Sequence, residues 1–166
     1  MSFKSNPIKS LHDNYFTRKS AWEDIQSYIP KDKLIWEAFY NSQSNSPNHL
    51  KDLGFNVISG DYDFFQENKG DIIVSNCPYS LKKEVFTRLK EIEKPFILLV
   101  PSTCLHTKYF YNLFKDSTIQ LIIPYKKRNF DKLGDDGKFV DTKGNCSFYT
   151  LYVCYKIGLE KDVIFI

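Results

Sequence analysis

The sequence predicts an α/β protein with a mostly parallel central sheet, helices on both faces of that sheet, and a C-terminal antiparallel hairpin. Short apolar runs without polar alternation recur along the chain, and segments with apolar residues at helical spacing separate them. Strands of this kind are buried on both faces, which is typical of parallel sheets. Beyond residue 119 the pattern changes, because two apolar runs are joined by a basic, glycine-bearing loop with no helical signal. That change predicts the antiparallel hairpin.

Helices are predicted where apolar residues recur every three or four positions. Trp22, Ile25 and Ile29 lie at i, i+3 and i+7, and Pro30 ends this helix. The segment HLKDLG is predicted as a helix that Gly54 terminates. Two further helices are predicted, one with Leu81, Val85, Leu89 and Ile92 on its apolar face and one over LHTKYFYNLF.

Strands are predicted at short runs rich in β-branched and aromatic residues. In chain order they are KLIWE at 33–37, FNVIS at 55–59, DIIVS at 71–75, PFILLV at 95–100, IQLII at 119–123 and the later run SFYTLYVCYKI. The last of these is expected either inside the sheet or at its edge. The terminal VIFI is either an edge strand or a tail.

Length and composition set the broad class of the protein. A chain of 166 residues is long enough for one well-buried domain, predicted over residues 14–166 after a polar arm at 1–13. A net charge of +3 permits phosphate-rich partners without requiring them. The four cysteines form no C-x-x-C pair, so no metal site is expected. No apolar run is long enough to span a membrane, so a soluble protein of the cytoplasm or nucleus is expected.

The segment NCPY at 76–79 follows a predicted strand at its carboxyl end, where ligands bind in open α/β sheets. Pro78 restricts the residue before it, so the carbonyl of Cys77 has a defined direction beside the amide of Asn76. Two acceptors beside the ring of Tyr79 suit a flat amine such as the amino group of adenine. The alternative interpretation is a simple strand-to-helix turn.

Four segments together carry a family resemblance. DIIVSNCPYS resembles the Asn-Pro-Pro-Tyr/Phe motif of amino-group, chiefly N6-adenine, methyltransferases that use S-adenosylmethionine. NYFTRKSAW at 14–22 is similar to their Tyr-Tyr-Thr-Pro segment. WEAFYNSQSN at 36–45 is similar to Glu-Pro-Phe-x-Gly-x-Gly, and GDYDFF at 60–65 resembles the acidic loop that contacts the cofactor. The resemblance spans roughly residues 14–156. It is a resemblance to a compact, viral or phage-like version of these methyltransferases.

The resemblance implies a Rossmann-like methyltransferase fold and methyl transfer from S-adenosylmethionine to the N6 amino group of adenine in DNA or RNA. Asn76 and the Cys77 carbonyl would orient the amine, Pro78 would restrain that carbonyl, and Tyr79 would stack on the base. The residues that the resemblance assigns to the cofactor are Tyr15, Phe16, Thr17, Glu37, Phe39, Asn41, Asp61 and Asp63. A related tetrad occurs in methyltransferases that modify glutamine side chains or guanine amines, and these remain alternatives.

Four positions, in three of the motifs, differ from the family pattern. Asn41 and Gln43 stand where the first loop has glycines, which permit close approach of the backbone to a ligand. Cys77 replaces a proline, and Arg18 also stands where proline is usual, so its guanidinium is expected to point to solvent or to a phosphate. These differences leave a second hypothesis open, a catalytically inactive subunit that binds a partner protein or nucleic acid.

The segment 124–138 combines Lys126, Lys127 and Arg128 with aromatic residues. Cations for phosphates beside rings for bases predict a nucleic-acid contact. The alternative is an ordinary solvated hairpin. A single domain of this size is expected to need a second copy or a second protein to grip a polynucleotide.

Overall fold

The computed structural model describes residues 15–39, 41–134, 136–142, 146 and 148–166. The predicted arm at 1–13 lies outside the described residues, and the single domain over 14–166 stays a prediction. The strands are β1 (Tyr15–Thr17), β2 (Ile35–Trp36), β3 (Val57–Ile58), β4 (Ile72–Asn76), β5 (Phe96–Pro101), β6 (Ile119–Ile123), β7 (Phe130–Leu133), β8 (Phe139–Asp141), β9 (Thr150–Tyr155) and β10 (Val163–Phe165). The α-helices are α1 (Lys19–Glu23), α2 (Ser46–Asp52), α3 (Lys82–Glu91) and α4 (Lys108–Phe114).

The main sheet has the strand order β10-β6-β9-β5-β4-β2-β3. Its strands pair in parallel except β9, which lies antiparallel between β5 and β6. The predicted Rossmann-like α/β architecture, a mostly parallel sheet with helices on both faces and a C-terminal antiparallel hairpin, is confirmed. The alternatives left open by the sequence are also resolved, since β9 is inserted in the sheet and VIFI forms the edge strand β10.

Alternate residues of each central strand contribute to two cores, one on each face of the sheet. The core beneath α3 and α4 contains Trp36, Ile73, Phe86, Leu98 and Phe114. The core beneath α1 and α2 contains Trp22, Ile35, Leu50, Ile72 and Ile97. Because both faces are covered, every residue of β5 is buried, which explains its continuous apolar sequence.

The first two helices differ in extent from the prediction. The helix predicted from Trp22 to Ile29 ends at Glu23 and is followed by a 3-10 helix at Gln26–Tyr28. Ile25 and Ile29 remain buried, so the tighter turn keeps the apolar face directed at the core. The next helix, α2, begins earlier than predicted, with a proline in its first turn, and Gly54 follows its end at a φ of 89°.

A second sheet, with the order β1-β7-β8, was not predicted. It joins the segment before α1 to the hairpin at 130–141, and Arg18 holds the two together. The Arg18 Nε lies 2.8 Å from Asp131 Oδ1, and its Nη2 lies 2.6 Å from Asp141 Oδ1. The expectation that Arg18 points to solvent or to a phosphate was therefore wrong, because two carboxylates of the hairpin pair with it.

The chain reverses direction across the sheet at β2. It passes from β2 to β3 on one side and then returns to β4 on the other side of β2. The carboxyl ends of β2 and β4 therefore flank the topological switch point, where open α/β sheets bind ligands. Glu37 follows β2, and Asn76 is the last residue of β4.

Candidate functional site

Asn76 is fixed by a contact with β1. Its Nδ2 donates a hydrogen bond to Thr17 Oγ1 at 3.0 Å, and Thr17 is only 6% exposed. The other carboxamide atom, Oδ1, is buried and accepts no hydrogen bond from the described residues. The structure thus brings together two segments that the sequence assigned separately, the tetrad and the segment at 15–17. It leaves an oriented acceptor at the carboxyl edge of the sheet.

Glu37 supplies a second buried acceptor at this edge. Its Oε1 accepts a hydrogen bond from Ser75 Oγ, while Oε2 is buried without a partner among the described residues. Burial raises the pKa of Glu37 to about 7, although the Ser75 hydrogen bond opposes the rise. Both protonation states of Glu37 are therefore populated near neutral pH, and a cation placed at Oε2 would favour the ionised state.

Tyr79 is packed inside the protein. Its side chain is 8% exposed, and the ring of Phe148 lies at 5.0 Å in an edge-to-face arrangement. Burial raises the pKa of the Tyr79 phenol well above its usual value; Asn76 lies close enough to oppose this rise, although the two form no hydrogen bond. A base could stack on Tyr79 only after neighbouring side chains move.

The middle of the tetrad forms a turn into α3. Pro78 has a φ of −62° and a ψ of 124°, and its carbonyl accepts a hydrogen bond from Leu81 N at 3.0 Å. The Cys77 side chain is 2% exposed and lies in the core beneath α3 and α4. The substitution of cysteine for proline therefore places a small apolar group in the core rather than in an open cleft.

The two aromatic residues of β1 contact the hairpin and the segment before β9. The Tyr15 ring lies 5.3 Å from Phe148 and 6.2 Å from Phe130. The Phe16 ring is 9% exposed and lies 5.1 Å from Phe139. These rings hold β1 in place, and Thr17 on the same strand supplies the polar contact with Asn76.

The loop after β2 is built without glycine. Phe39 is 7% exposed and packs on Phe64 at 4.9 Å. The Asn41 side chain accepts a hydrogen bond from Gln43 N at 2.9 Å, and its carbonyl accepts one from Ser44 N at 2.8 Å. A side-chain turn at Asn41 therefore shapes the loop that glycines shape in the family pattern.

The two aspartates after β3 differ in their surroundings. Asp63 Oδ1 accepts a hydrogen bond from Phe65 N at 3.0 Å, and Asp63 N donates one to Glu67 Oε1 at 3.1 Å. These two hydrogen bonds stabilise the turn that follows. Asp61 has an exposed side chain at the rim of the sheet. The Asp63 carboxylate therefore accepts a hydrogen bond within its own turn.

The three basic residues after β6 also differ. Arg128 is 12% exposed, pairs with Asp24, and lies 5.7 Å from the centre of the Tyr152 ring. Lys126 and Lys127 instead lie over the rings of Tyr125 and Tyr149, at 4.8 and 5.1 Å. Those two tyrosines are 77% and 66% exposed. Tyr152 and Tyr155 are buried in β9, where both faces of the sheet are covered, whereas Tyr149 precedes the strand.

Comparisons with known proteins add little to this geometry. No protein-family model matches the sequence, and no curated protein matches it. The chain is similar to solved structures, among them the crystal structure of a precorrin-6y C5,15-methyltransferase from Geobacter metallireducens GS-15. That similarity has a TM-score of 0.47 and 13% sequence identity, over 84% of this chain and 90% of that chain. It carries no conclusion about activity. In the part of the chain that the structure describes, no helix has the length and apolar character needed to cross a membrane.

Proposed function

We propose that this protein binds S-adenosylmethionine at the carboxyl edge of β2 and β4 and methylates the N6 amino group of adenine in DNA or RNA. The observation that supports this most strongly is the Asn76 carboxamide. Thr17 holds its Nδ2, and its buried Oδ1 has no described partner. A buried acceptor without a partner costs free energy unless a ligand supplies a donor, and an exocyclic amine is such a donor.

The protein's part in this reaction is to position the amine. Asn76 Oδ1 accepts a hydrogen bond from one N–H of the amine, and the Cys77 carbonyl, restrained by Pro78, accepts one from the other. The nitrogen lone pair is then directed away from both acceptors. S-adenosylmethionine, when bound, supplies the electrophilic methyl group. Orientation of this kind accounts for much of the rate enhancement in a one-step transfer.

The residues around the switch point fit the cofactor in two respects. Glu37 Oε2 is an acceptor without a described partner, and it suits the ammonium group of the methionine part. Asp61 and Asp63 follow β3 at the same edge of the sheet, and their carboxylates suit the ribose hydroxyls. Asn41 shapes the loop between them through its side-chain turn.

Calorimetric titration with S-adenosylmethionine and S-adenosylhomocysteine tests cofactor binding. We expect both to bind the wild-type protein and Asp61→Ala to weaken binding about tenfold or more. Asp32→Ala is the matched control, because the Asp32 side chain is 78% exposed and lies before β2. No heat and no thermal stabilisation at millimolar ligand would contradict the proposal.

One observation favours a second candidate function, an inactive methyltransferase-fold subunit that binds a partner protein or nucleic acid. Tyr79 is 8% exposed and contacts Phe148, an arrangement that leaves its ring little room for a base. This candidate predicts nucleic-acid binding that depends on Lys126 and Lys127 in a protein that binds no cofactor. The titration above therefore separates the two functions.

A further inference from the structure

Two exposed tyrosines, Tyr125 and Tyr149, lie beyond the paired residues of β6 and β9 at the rim of the main sheet. In the β6–β9 ladder, Ile119 pairs with Tyr155 and Ile122 pairs with Tyr152. The same register, continued past the end of β6, places Tyr125 opposite Tyr149. Tyr125 and Tyr149 are 77% and 66% exposed, so most of each ring is in solvent.

The backbone of each tyrosine is held by a hydrogen bond to a neighbouring segment. Tyr125 N donates to the Ile166 carbonyl at 2.7 Å, and the Tyr149 carbonyl accepts from Ser102 N at 2.9 Å. The rings therefore project from ordered segments. Exposed aromatic rings on such segments are suited to binding flat ligands, because little conformational entropy is lost when a ligand stacks on them.

A cation accompanies each ring. Lys126 Nζ lies 4.8 Å from the centre of the Tyr125 ring, and Lys127 Nζ lies 5.1 Å from that of Tyr149. An aromatic ring with an adjacent ammonium group can stack on a base and neutralise the phosphate attached to it. Arg128 is excluded from this surface because it pairs with Asp24.

The pair lies on the same edge of the sheet as Asn76. The strand order from β4 outward is β4, β5, β9, β6. Asn76 is in register with Leu99 and, through it, with Tyr152. Tyr149 is therefore two strands away and three residues farther along, roughly 14 Å from Asn76, and Tyr125 is roughly 18 Å away. These spacings suit nucleotides a few positions along a single strand from a base bound at Asn76.

We infer that Tyr125 and Tyr149, with Lys126 and Lys127, form a stacking platform for unpaired bases, and that the polynucleotide substrate is single-stranded. The faces of bases in a duplex are covered by their neighbours, whereas single strands offer them to aromatic side chains. The position of the target adenine at Asn76 rests on the proposed function. The platform itself does not require it.

Fluorescence anisotropy with labelled short oligonucleotides and the full chain, in the absence of cofactor, tests the platform. The probes are an adenine-containing single-stranded RNA, the same sequence as DNA, and each as a duplex. We expect Tyr125→Ala and Tyr149→Ala each to weaken single-strand binding about tenfold. The Tyr→Phe variants should retain affinity. Tyr111→Ala is the matched control, because Tyr111 is 62% exposed and lies 5.9 Å from the Lys115 ammonium, but belongs to α4.

Two results would overturn the inference: duplexes that bind as tightly as single strands, or alanine variants that bind like the Tyr111→Ala control. Binding of RNA, of DNA or of both supports the platform and identifies the polynucleotide. If cofactor binding fails while tyrosine-dependent binding of single strands persists, the proposed methyl transfer is rejected and the platform stands. The two proposals are therefore tested separately.

Discussion

The Nδ2 atom of Asn76 lies 3.0 Å from the hydroxyl oxygen of Thr17, a residue 59 positions earlier in the chain. This hydrogen bond joins β4 of the main sheet to β1 of the small sheet. It determines which atom of the carboxamide is left to accept a hydrogen bond from a ligand. The account of the site depends on that orientation.

Thr17→Val tests this dependence. Valine keeps the shape of threonine but removes the hydroxyl, so the Asn76 carboxamide loses its anchor. We expect the free energy of unfolding to fall by about 1 kcal/mol. The rate of methyl transfer should fall about tenfold or more, while the Kd for cofactor changes little. Thr17→Ser should restore the rate. An unchanged kcat in Thr17→Val would show that the anchor is dispensable.

The raised pKa of Glu37 makes the stability of the folded protein depend on pH. Burial raises its pKa from 4.5 to about 7 in the folded protein, so the folded state retains a proton that the unfolded state releases. The stabilisation is present below pH 4.5 and is lost as pH rises through about 7. Its loss between about pH 5 and pH 8 amounts to roughly 2 to 3 kcal/mol.

Urea denaturation of Glu37→Gln measures this contribution. Glutamine remains neutral, so the difference in unfolding free energy between mutant and wild type should shift in favour of the mutant as pH rises. Glu23→Gln is the control, since Glu23 is exposed on α1. Parallel pH profiles for Glu37→Gln and wild type would show that Glu37 is not perturbed.

Arg18 is expected to couple β1 to the hairpin of β7 and β8. Its guanidinium contacts Asp131 and Asp141, and all three side chains are partly exposed. Solvent weakens the attraction between partly exposed charges. A double-mutant cycle with Arg18→Gln and Asp131→Asn should therefore give a coupling free energy of about 0.5–1 kcal/mol. The coupling should decrease at high salt. A coupling of zero would mean that the β1–β7 backbone pairing and the ring contacts hold the hairpin without this ion pair.

Gly70 has a different role from Gly54, although both have a positive φ, 63° and 89°. A Cβ added at Gly70 would lie 2.8 Å from the Leu34 carbonyl oxygen, whereas one at Gly54 meets nothing within 4 Å. We expect Gly54→Ala to cost about 1 kcal/mol and Gly70→Ala about 2 kcal/mol or more. Thermal or urea denaturation compares them. Equal losses would mean that the backbone before β4 adjusts without cost.

The central strands of the main sheet could be predicted from the sequence because runs such as PFILLV are continuously apolar, as strands covered on both faces must be. β1 and β7 could not be predicted, since they are short, partly polar and paired across more than 100 residues. The partner of Asn76 was missed for the same reason: Thr17 reaches it only through the small sheet. The ion pair that removes Arg128 from the basic surface likewise depends on a distant residue, Asp24.

The exposure of Tyr149 also escaped the sequence analysis. An aromatic run that includes Tyr152 and Tyr155 has the pattern of a buried strand, and those two residues are indeed buried in β9. Tyr149 lies just before the strand begins, and its carbonyl accepts a hydrogen bond from Ser102 N. A shift of one residue in the start of a strand thus decides whether a tyrosine packs in the core or is exposed to solvent.

The most direct test of the account is transfer of a labelled methyl group from S-adenosylmethionine to an adenine-containing single-stranded oligonucleotide, compared for wild type, Asn76→Ala and Asn112→Ala. Asn112 is exposed on α4 and serves as the control. The account predicts incorporation by wild type and Asn112→Ala, no incorporation by Asn76→Ala despite unchanged cofactor binding, and none into an oligonucleotide whose adenines already carry an N6-methyl group. Absence of incorporation by wild type, or incorporation unaffected by Asn76→Ala, would contradict it.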